Sequence, residues 1–491
     1  MTQSGVTETF PKSVGMAFLA GVSVPGMKTP VQNKLLGVLP LTLILSATAT
    51  AGPAASGVAA LATPDQRAVE TQAIRIFASH AVTEQIAVSK RLFLSSPVAT
   101  SDDSKASVDR AVKEFAFAAV LDAVNGDPAR PKIVWGFTAP RTWLGHSVPG
   151  SRWGIDNPDN VYRFVPIDGA SKYELTVHPS SPGPVQFSFI VYDSFVGEGG
   201  RQDNLDTPVA SLRDQDVKAN ADGSFTISID SAPANGRANH LQTSSQAKVL
   251  LIRNTFSEWG VQNPQVAAIR RLDGPPSVAR TEEQITGRAV ELIEAGTQTI
   301  LGWETKGFAS KAAPNTIGQP FVRGGGWGFA ANGSFRISSD QALVVTLDPA
   351  GARYVGFDLT DPWLVSRDHV GATGSLNNHQ VEPNADGTLT YVVAPTDPGV
   401  ANWVDTGGLH EGKLLIRWQV LPASAKADGA VREVELVELA DLKSALPAGF
   451  KVVSPVQRQA LRAVRAKDYA HRYAAGTTAI TVDHERLAEA K

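Results

Sequence analysis

The segment Asn220–Ile229, "NADGSFTISI", returns as Asn384–Val393, "NADGTLTYVV". In each, Asp-Gly supplies a tight turn, because glycine takes positive φ without steric cost. The residues behind it alternate. Phe225, Ile227 and Ile229 point to one face of a strand, while Thr226, Ser228 and Asp230 point to the other. In the second occurrence Leu389, Tyr391 and Val393 take the inner face. The likeness spreads outward at a constant offset of 164 residues: Ser211-Leu212 and Val217 recur as Ser375-Leu376 and Val381, and Leu251-Ile252-Arg253 as Leu415-Ile416-Arg417. "ANHLQT" (238–243) aligns with "ANWVDT" (401–406) after a slip of one residue, which a loop absorbs. The chain therefore carries a duplicated, diverged β domain. Arg253 and Arg417 hold equivalent strand positions, which predicts a structural ion pair in both copies.

Around this repeat the pattern is mainly β with accessory helices. From Trp135 onward short alternating runs such as "VYRFVPI", "KYELTVH" and "VQFSFIVYD" are punctuated by Gly, Pro, Asn and Asp. That rhythm predicts two tandem antiparallel β-sandwiches, jelly-roll-like, rather than βαβ units. Helical signals flank them. Thr63-Pro64-Asp65-Gln66 is a capping box, followed by Val69, Ala73, Ile76, Phe77 and Ile86 at helical spacing. A second helix is expected from about Ser104, stopped by Asn125-Gly126. Thr281–Gln284 is another capping box, and the tail from Pro455 is basic and helical in pattern. The expected organisation is an extension and leader over 1–51, a helical region over 52–134, a sandwich over 135–272, a helical linker over 273–318, a second sandwich over 319–440, and a tail over 441–491.

With 491 residues the chain exceeds one ordinary core. Its net charge of −3 offers no electrostatic case for nucleic acid or an anionic membrane surface, and the lack of cysteine excludes disulfides and thiolate chemistry. From Met27, Lys28 and Lys34 precede an apolar run, Leu35–Leu45, and Ala47, Ala49 and Ala51 offer small-residue cleavage sites. This is the layout of a secretory signal peptide. It predicts a mature protein that begins near Gly52, in the periplasm or outside the cell, and a start codon at Met27 with the first 26 residues upstream of it.

Three segments together resemble a known family: "DNPDNVYRFVPIDGASKYELTV" (156–177), "DGSFTISI" (222–229) and "LLIRNTFSEWGVQNPQVAAIRRL" (250–272). They are similar to domain-of-unknown-function family 1214, bacterial proteins of unestablished activity. The resemblance covers residues 135–272 well and 319–440 only through the internal repeat. It implies a β-sandwich, jelly-roll-like fold and leaves the function open. The second copy lacks the Asn-Pro-Asp-Asn segment and the first lacks the Trp of "NWVDT", so either one site is shared between the copies or one copy is degenerate.

No nucleophile elbow, zinc-protease helix, Walker A loop or dinucleotide fingerprint is present, so no cofactor and no metal site are expected. Candidate chemistry gathers in the segments where the copies differ. Asp156, Asn157, Asp159, Asn160, Tyr162 and Arg163 read either as an Asx turn or as a polar ligand-binding loop at a sandwich end. Asp361, Trp363, Arg367, Asp368 and His369 combine an aromatic platform with an acid and an imidazole. Asn402, Trp403, Asp405 and His410 repeat that combination, with Asp405 and His410 as a candidate acid–base pair if the Gly407-Gly408 turn folds them together.

Three functions follow as expectations. The first is an exported, cofactor-independent hydrolase or lyase acting on a glycan-like or bulky small molecule, with Asp361, Asp368, His369, Asp405 and His410 as its catalytic groups. The second is a noncatalytic ligand- or carbohydrate-binding envelope protein. Its contacts would be Asn157, Asp159, Asn160, Tyr162, Arg163, Trp363, Arg367, Asn402 and Trp403. The third is a structural or assembly subunit. An enzyme requires its acids and imidazoles to converge on one pocket, whereas a binder requires only a cavity with ring faces and polar edges.

Overall fold

Thr63 caps the first helix as its sequence implies, accepting from the Gln66 amide at 3.0 Å. The reciprocal half of the box does not form, because the Gln66 side chain is bonded to both backbone groups of Trp135 and to Glu70. The computed structural model describes residues 60–195, 197–198, 208–307, 313–323, 327–473 and 481–482. The upstream extension and the leader from Met27 to Ala51 lie outside the described residues. Helix α1 (Pro64–Phe77) ends at Ala78, and α2 (His80–Leu94) begins two residues later, so the first helical stretch is two helices. Helix α3 (Asp102–Val124) starts from a complete Ser101/Ser104 capping box, three residues ahead of the expected start, and ends at Asn125. Helix α4 (Glu282–Thr305), capped by Thr281 and Gln284, packs on α2 and α3. The four helices bury their apolar stripes in one cluster with aromatic residues from the β region, among them Trp135, Trp153 and Trp363.

The first sandwich follows. Its strands are β1 (Val134–Gly136), β4 (Asn160–Pro166), β5 (Lys172–His178), β6 (Gln186–Tyr192), β7 (Pro208–Arg213), β8 (Phe225–Asp230), β9 (His240–Gln242), β10 (Val249–Thr255) and β11 (Val266–Asp273), while the hairpin β2 (Arg141–Trp143) and β3 (His146–Val148) belongs to a separate small sheet. After α4 come β12 (Thr316–Ile317), β13 (Phe321–Val322), β14 (Phe329–Arg336), β15 (Gln341–Leu347), β16 (Tyr354–Thr360), β17 (Ser375–Asn377), β18 (Leu389–Ala394), β19 (Trp403–Asp405), β20 (Glu411–Gln419) and β21 (Val431–Glu438). A short helix α5 (Leu442–Ala445), the tail helix α6 (Pro455–His471) and β22 (Thr481–Val482), paired with β2, complete the order.

The duplication holds strand for strand. The larger sheets run β4-β10-β6-β7 and β14-β20-β16-β17, and the smaller ones β11-β5-β8-β9 and β21-β15-β18-β19. Each copy contains the same parallel pair at its last step, β8 with β9 and β18 with β19. The two Asp-Gly turns are superposable in their bonding. Gly223 (φ 79°) and Gly387 (φ 84°) donate to the carbonyls of Asn220 and Asn384, and Asp222 and Asp386 accept from the amides of Ser224 and Thr388, two residues on. A second matched device sits where the sequence alignment slips. Asn239 and Asn402 both take left-handed backbone, φ 50° and 54°. Each clamps the strand-leading loop through both amide atoms, to Lys218 in one copy and to Glu382 in the other.

Burial departs from the simple alternation. Leu250 and Ile252 enter the core of the first sandwich, and Leu414, Ile416 and Trp418 that of the second. The intervening residues are not given to solvent. Leu251 and Tyr162 are buried on the far side of the first sandwich, and all seven residues of both β4 and β16 are buried. Residues of the two outer faces border one cavity, and α3 lies against the first face at Phe164. Asn402→Ala is expected to cost about 1–3 kcal/mol in denaturant unfolding, since it unpairs partly buried backbone groups and leaves an alanine at positive φ; Asn239→Ala, whose bonds to Lys218 are exposed, is expected to cost about 0.5–1.5 kcal/mol. An indistinguishable midpoint for either variant would deny the clamp its role.

Candidate ligand-binding site

The Asn-Pro-Asp-Asn segment precedes β4 at the line where the sandwiches meet. Asp159 is fully buried, and its carboxylate accepts from Trp259 Nε1 at 2.6 Å, Asn377 Nδ2 at 2.8 Å and the Tyr354 hydroxyl at 2.7 Å. Two of these donors belong to the second sandwich. Asn157 reinforces the junction through Tyr354, at 2.8 Å. Burial raises the Asp159 pKa, and the three donors pull against that rise. The neighbouring Asp156 accepts from the Ser366 hydroxyl at 2.9 Å, and burial pushes it up to about 7. Asp358, on β16, pairs with Arg417; burial nevertheless raises its pKa, against the pull of Arg417, with repulsion from Asp159 and Asp156 added.

Beside this junction lies a cavity of about 350 Å³. One wall is the outer face of the first sandwich, with Asn160, Tyr162, Tyr192, Leu251 and Arg253, and the opposite wall is that of the second, with Ala330, Asn332, Leu415, Arg417 and Gln419. Phe137, Trp153, Trp303, Phe321 and Arg323 close the sides, Trp153 and Trp303 stacked at 6.0 Å. Several polar atoms in these walls have no partner within the protein: both amide atoms of the fully buried Gln419, Asn160 Oδ1, Arg253 Nε and Arg323 Nη1. Unpaired buried polar groups are costly, and in folded proteins they mark an occupant or a strain.

A second cavity, about 500 Å³, lies between α6 and the second sandwich, and Asn402 and Trp403 line it. Its buried polar side chains are already engaged. Asn402 makes three hydrogen bonds, Trp403 Nε1 donates to the Ala394 carbonyl at 2.9 Å, and Arg458 grips Asp397. Arg458 and Arg462 also cover the Trp403 ring. A still larger groove of about 690 Å³ beside α1 is open to solvent.

The remaining candidate residues are dispersed, each held by local contacts. Trp363 is wholly buried against Phe93 and donates to the Ser104 carbonyl at 2.7 Å, so its ring has no face for a sugar. Asp361 accepts from the amides of Trp363 and Val365 and from Arg110 at 2.6 Å. Arg367 donates to the Thr406 carbonyl at 2.9 Å, and Asp368 caps its own turn through the amides of Val370 and Gly371. His369 is buried beside Tyr469, 3.3 Å away, and burial holds its pKa well below the usual imidazole range. Asp405 accepts from the Gly407 amide and from Arg462. His410, about half exposed, faces Asp103 at 3.4 Å rather than Asp405. Arg163 turns away from the cavity to the Gln265 carbonyl and Asn254. Of the candidates, Asp156, Asn160 and Tyr162 line the inter-sandwich cavity, while Asn157 and Asp159 serve the junction beside it. Sequence reasoning missed Arg323, Gln419, Trp153 and Trp303. Gln419 was within reach of it, standing two residues after Arg417 on the same face of β20. Among the described residues no group of three His, Asp or Glu side chains could hold a metal ion, and no helix is long and apolar enough to cross a membrane.

The family model described as protein of unknown function DUF1214 matches residues 164–256, inside the first sandwich. The chain is similar in fold to an uncharacterised protein from Burkholderia cenocepacia, with a TM-score of 0.60 and 22% identity over 75% of this chain and 99% of that one. The VPA0106 protein from Vibrio parahaemolyticus matches at a TM-score of 0.36 and 11% identity, over 58% of this chain and 90% of its own. No curated protein matches.

Asp156 titrates near 7 when folded, against about 3.9 for an unfolded aspartate. Between those values the folded state holds the extra proton, so raising the pH withdraws stability through this group. Asp156→Asn cannot ionise, and its melting temperature relative to the wild type is expected to climb as the pH rises from about 4 to about 8. A difference that stays constant with pH would show that the folded pKa is ordinary.

Proposed function

We propose that the chain is an exported binding protein that encloses a small molecule between its two sandwiches and does not turn it over. The observation that carries this reading is the set of unpartnered polar atoms on Gln419, Asn160, Arg253 and Arg323 around a largely aromatic and aliphatic cavity. Its size lies at the lower end of the usual range for ligand pockets, and its composition, mostly apolar with a few polar groups, is what orients a ligand within one. The hydrolase or lyase reading has less support. Asp361, Asp368, His369, Asp405 and His410 line none of the three cavities described above, and each is bonded to a turn, a helix or a neighbouring arginine. Among the described residues Asp156 is the one carboxyl group lining the cavity, and both of its oxygens accept from Ser366.

Export rests on the leader pattern from Met27 to Ala51. Full-length chain produced in a bacterial host is expected to yield a mature amino terminus near Gly52 by intact-mass measurement; retention of the Leu35–Leu45 run would contradict export by cleavage. The cavity is tested by filling it. Ala330→Trp and Leu415→Trp point into it from the second sandwich. Native mass spectrometry of the purified wild type is expected to find a bound small molecule that both variants lack, with circular dichroism unchanged. A ligand retained by both folded variants would place binding elsewhere.

A further inference from the structure

The two long walls of the cavity are copies of one another, and they differ in charge. Arg253 and Arg417 stand at equivalent positions, on β10 between β4 and β6 and on β20 between β14 and β16. In the second sandwich, β16 places Asp358 opposite Leu415, where it pairs with Arg417. In the first, the residue opposite Leu251 is Ile190. Divergence of that single ladder position leaves Arg253 without the acid that its twin possesses. Among the described residues no carboxylate lies within ion-pairing distance of it. Its neighbours are instead the rings of Tyr162, at 5.2 Å, and Trp327, at 5.0 Å, which favour a cation without neutralising it. Arg323 adds to the same cavity a second guanidinium with no carboxylate partner among the described residues. Burial, with repulsion from Arg253 and Arg417, presses its pKa down to about 9. Water can satisfy an amide such as Gln419, but it does not offset two partly buried like charges.

We propose that this cavity is the site of an organic carboxylate with an apolar or aromatic body, its acid group held by Arg253 and Arg323 with the Gln419 amide as a third donor. The assignment rests on the reading that the cavity binds a small molecule at all. A carboxylate supplies the acceptors that the unpartnered guanidinium and amide donors lack, and a guanidinium pairs with it through charge-assisted bonds. The apolar body follows from the remaining wall, Leu251, Ala330, Leu415 and Trp153, which a bare inorganic anion would leave wet.

The test uses the full chain and three probes matched in shape: 4-phenylbutyrate, its neutral amide 4-phenylbutanamide, and the cation 4-phenylbutylamine, with inorganic phosphate as a bodiless anion. Calorimetric titration is expected to find the carboxylate bound at least about tenfold more tightly than the amide, and the amine and phosphate more weakly still. Arg253→Gln is expected to erase most of the carboxylate's advantage while the amide binds as before. Arg458→Gln, in the separate cavity beside α6, is expected to leave that advantage in place and serves as a control for general disturbance. Equal binding of carboxylate and amide, or an advantage that survives Arg253→Gln, overturns the anion assignment. If Ala330→Trp still abolishes that binding, the cavity reading stands without it. Binding unaffected by Ala330→Trp, or no binding of any probe, overturns the assignment together with its premise for this ligand class.

Discussion

Asp159 is the point on which the arrangement of the two sandwiches turns. A carboxylate with no contact to water must have its lone pairs filled, and here three side chains fill them: Trp259, Asn377 and the Tyr354 hydroxyl. The donors come from the end of the first sandwich and from two strands of the second. Any rotation between the sandwiches would break short charge-assisted bonds in a low-dielectric setting, where an unfilled acceptor is most costly. The same segment carries the other constraints. Asn157 bonds to Tyr354, Asp156 to Ser366, and the Ile155 carbonyl accepts from Arg417. Four consecutive positions bridging to the second sandwich, Pro158 aside, explain why the Asn-Pro-Asp-Asn segment belongs to only one copy. A bridge needs one anchor and one receiver.

The cavity is a consequence of that clamp. Two sheets of the same topology present their outer faces to each other, and aromatic side chains hold them apart locally instead of filling the gap. Duplication supplied two equivalent walls, and divergence at Ile190 and Asp358 made them electrostatically unequal. The asymmetry places a compensated guanidinium on one side and an uncompensated one on the other. An enzyme built from the acids and imidazoles of the second copy would require them to point inward, yet the turns that carry Asp361, Asp368 and Asp405 direct those oxygens to backbone amides. These acids hold loops in shape, as Asx turns commonly do.

Much of the fold was legible in the chain. The repeated Asp-Gly turn, the alternation behind it and the helix caps are local signals, decided by positive φ, side-chain periodicity and unsatisfied terminal amides. They placed two antiparallel sandwiches, α4 and the tail helix. Local signals also misplaced details for identifiable reasons: the start of α3 shifted because Ser101, not Ser104, is its cap, and the first helical stretch broke at Ala78 before α2 restarted. The site was less legible. Asn157–Tyr162 were marked by their polarity, but Arg323, Gln419, Trp153 and Trp303 come from four separate elements, and no spacing along the chain announces that they meet.

By itself, then, the sequence determined the duplicated β domain, the register between its copies and the equivalence of Arg253 with Arg417, since all of these depend on neighbours close in the chain. It left the surroundings of those arginines undetermined. Alternation says which residues leave a sandwich's core, but not whether they reach solvent or another sheet. Only the tertiary structure turned two outward faces into the walls of one cavity, paired Arg417 with Asp358 and left Arg253 against aromatic rings. The physical reason is that burial and charge compensation are properties of the contacts between sheets, and those contacts are set by the bridge at Asp159.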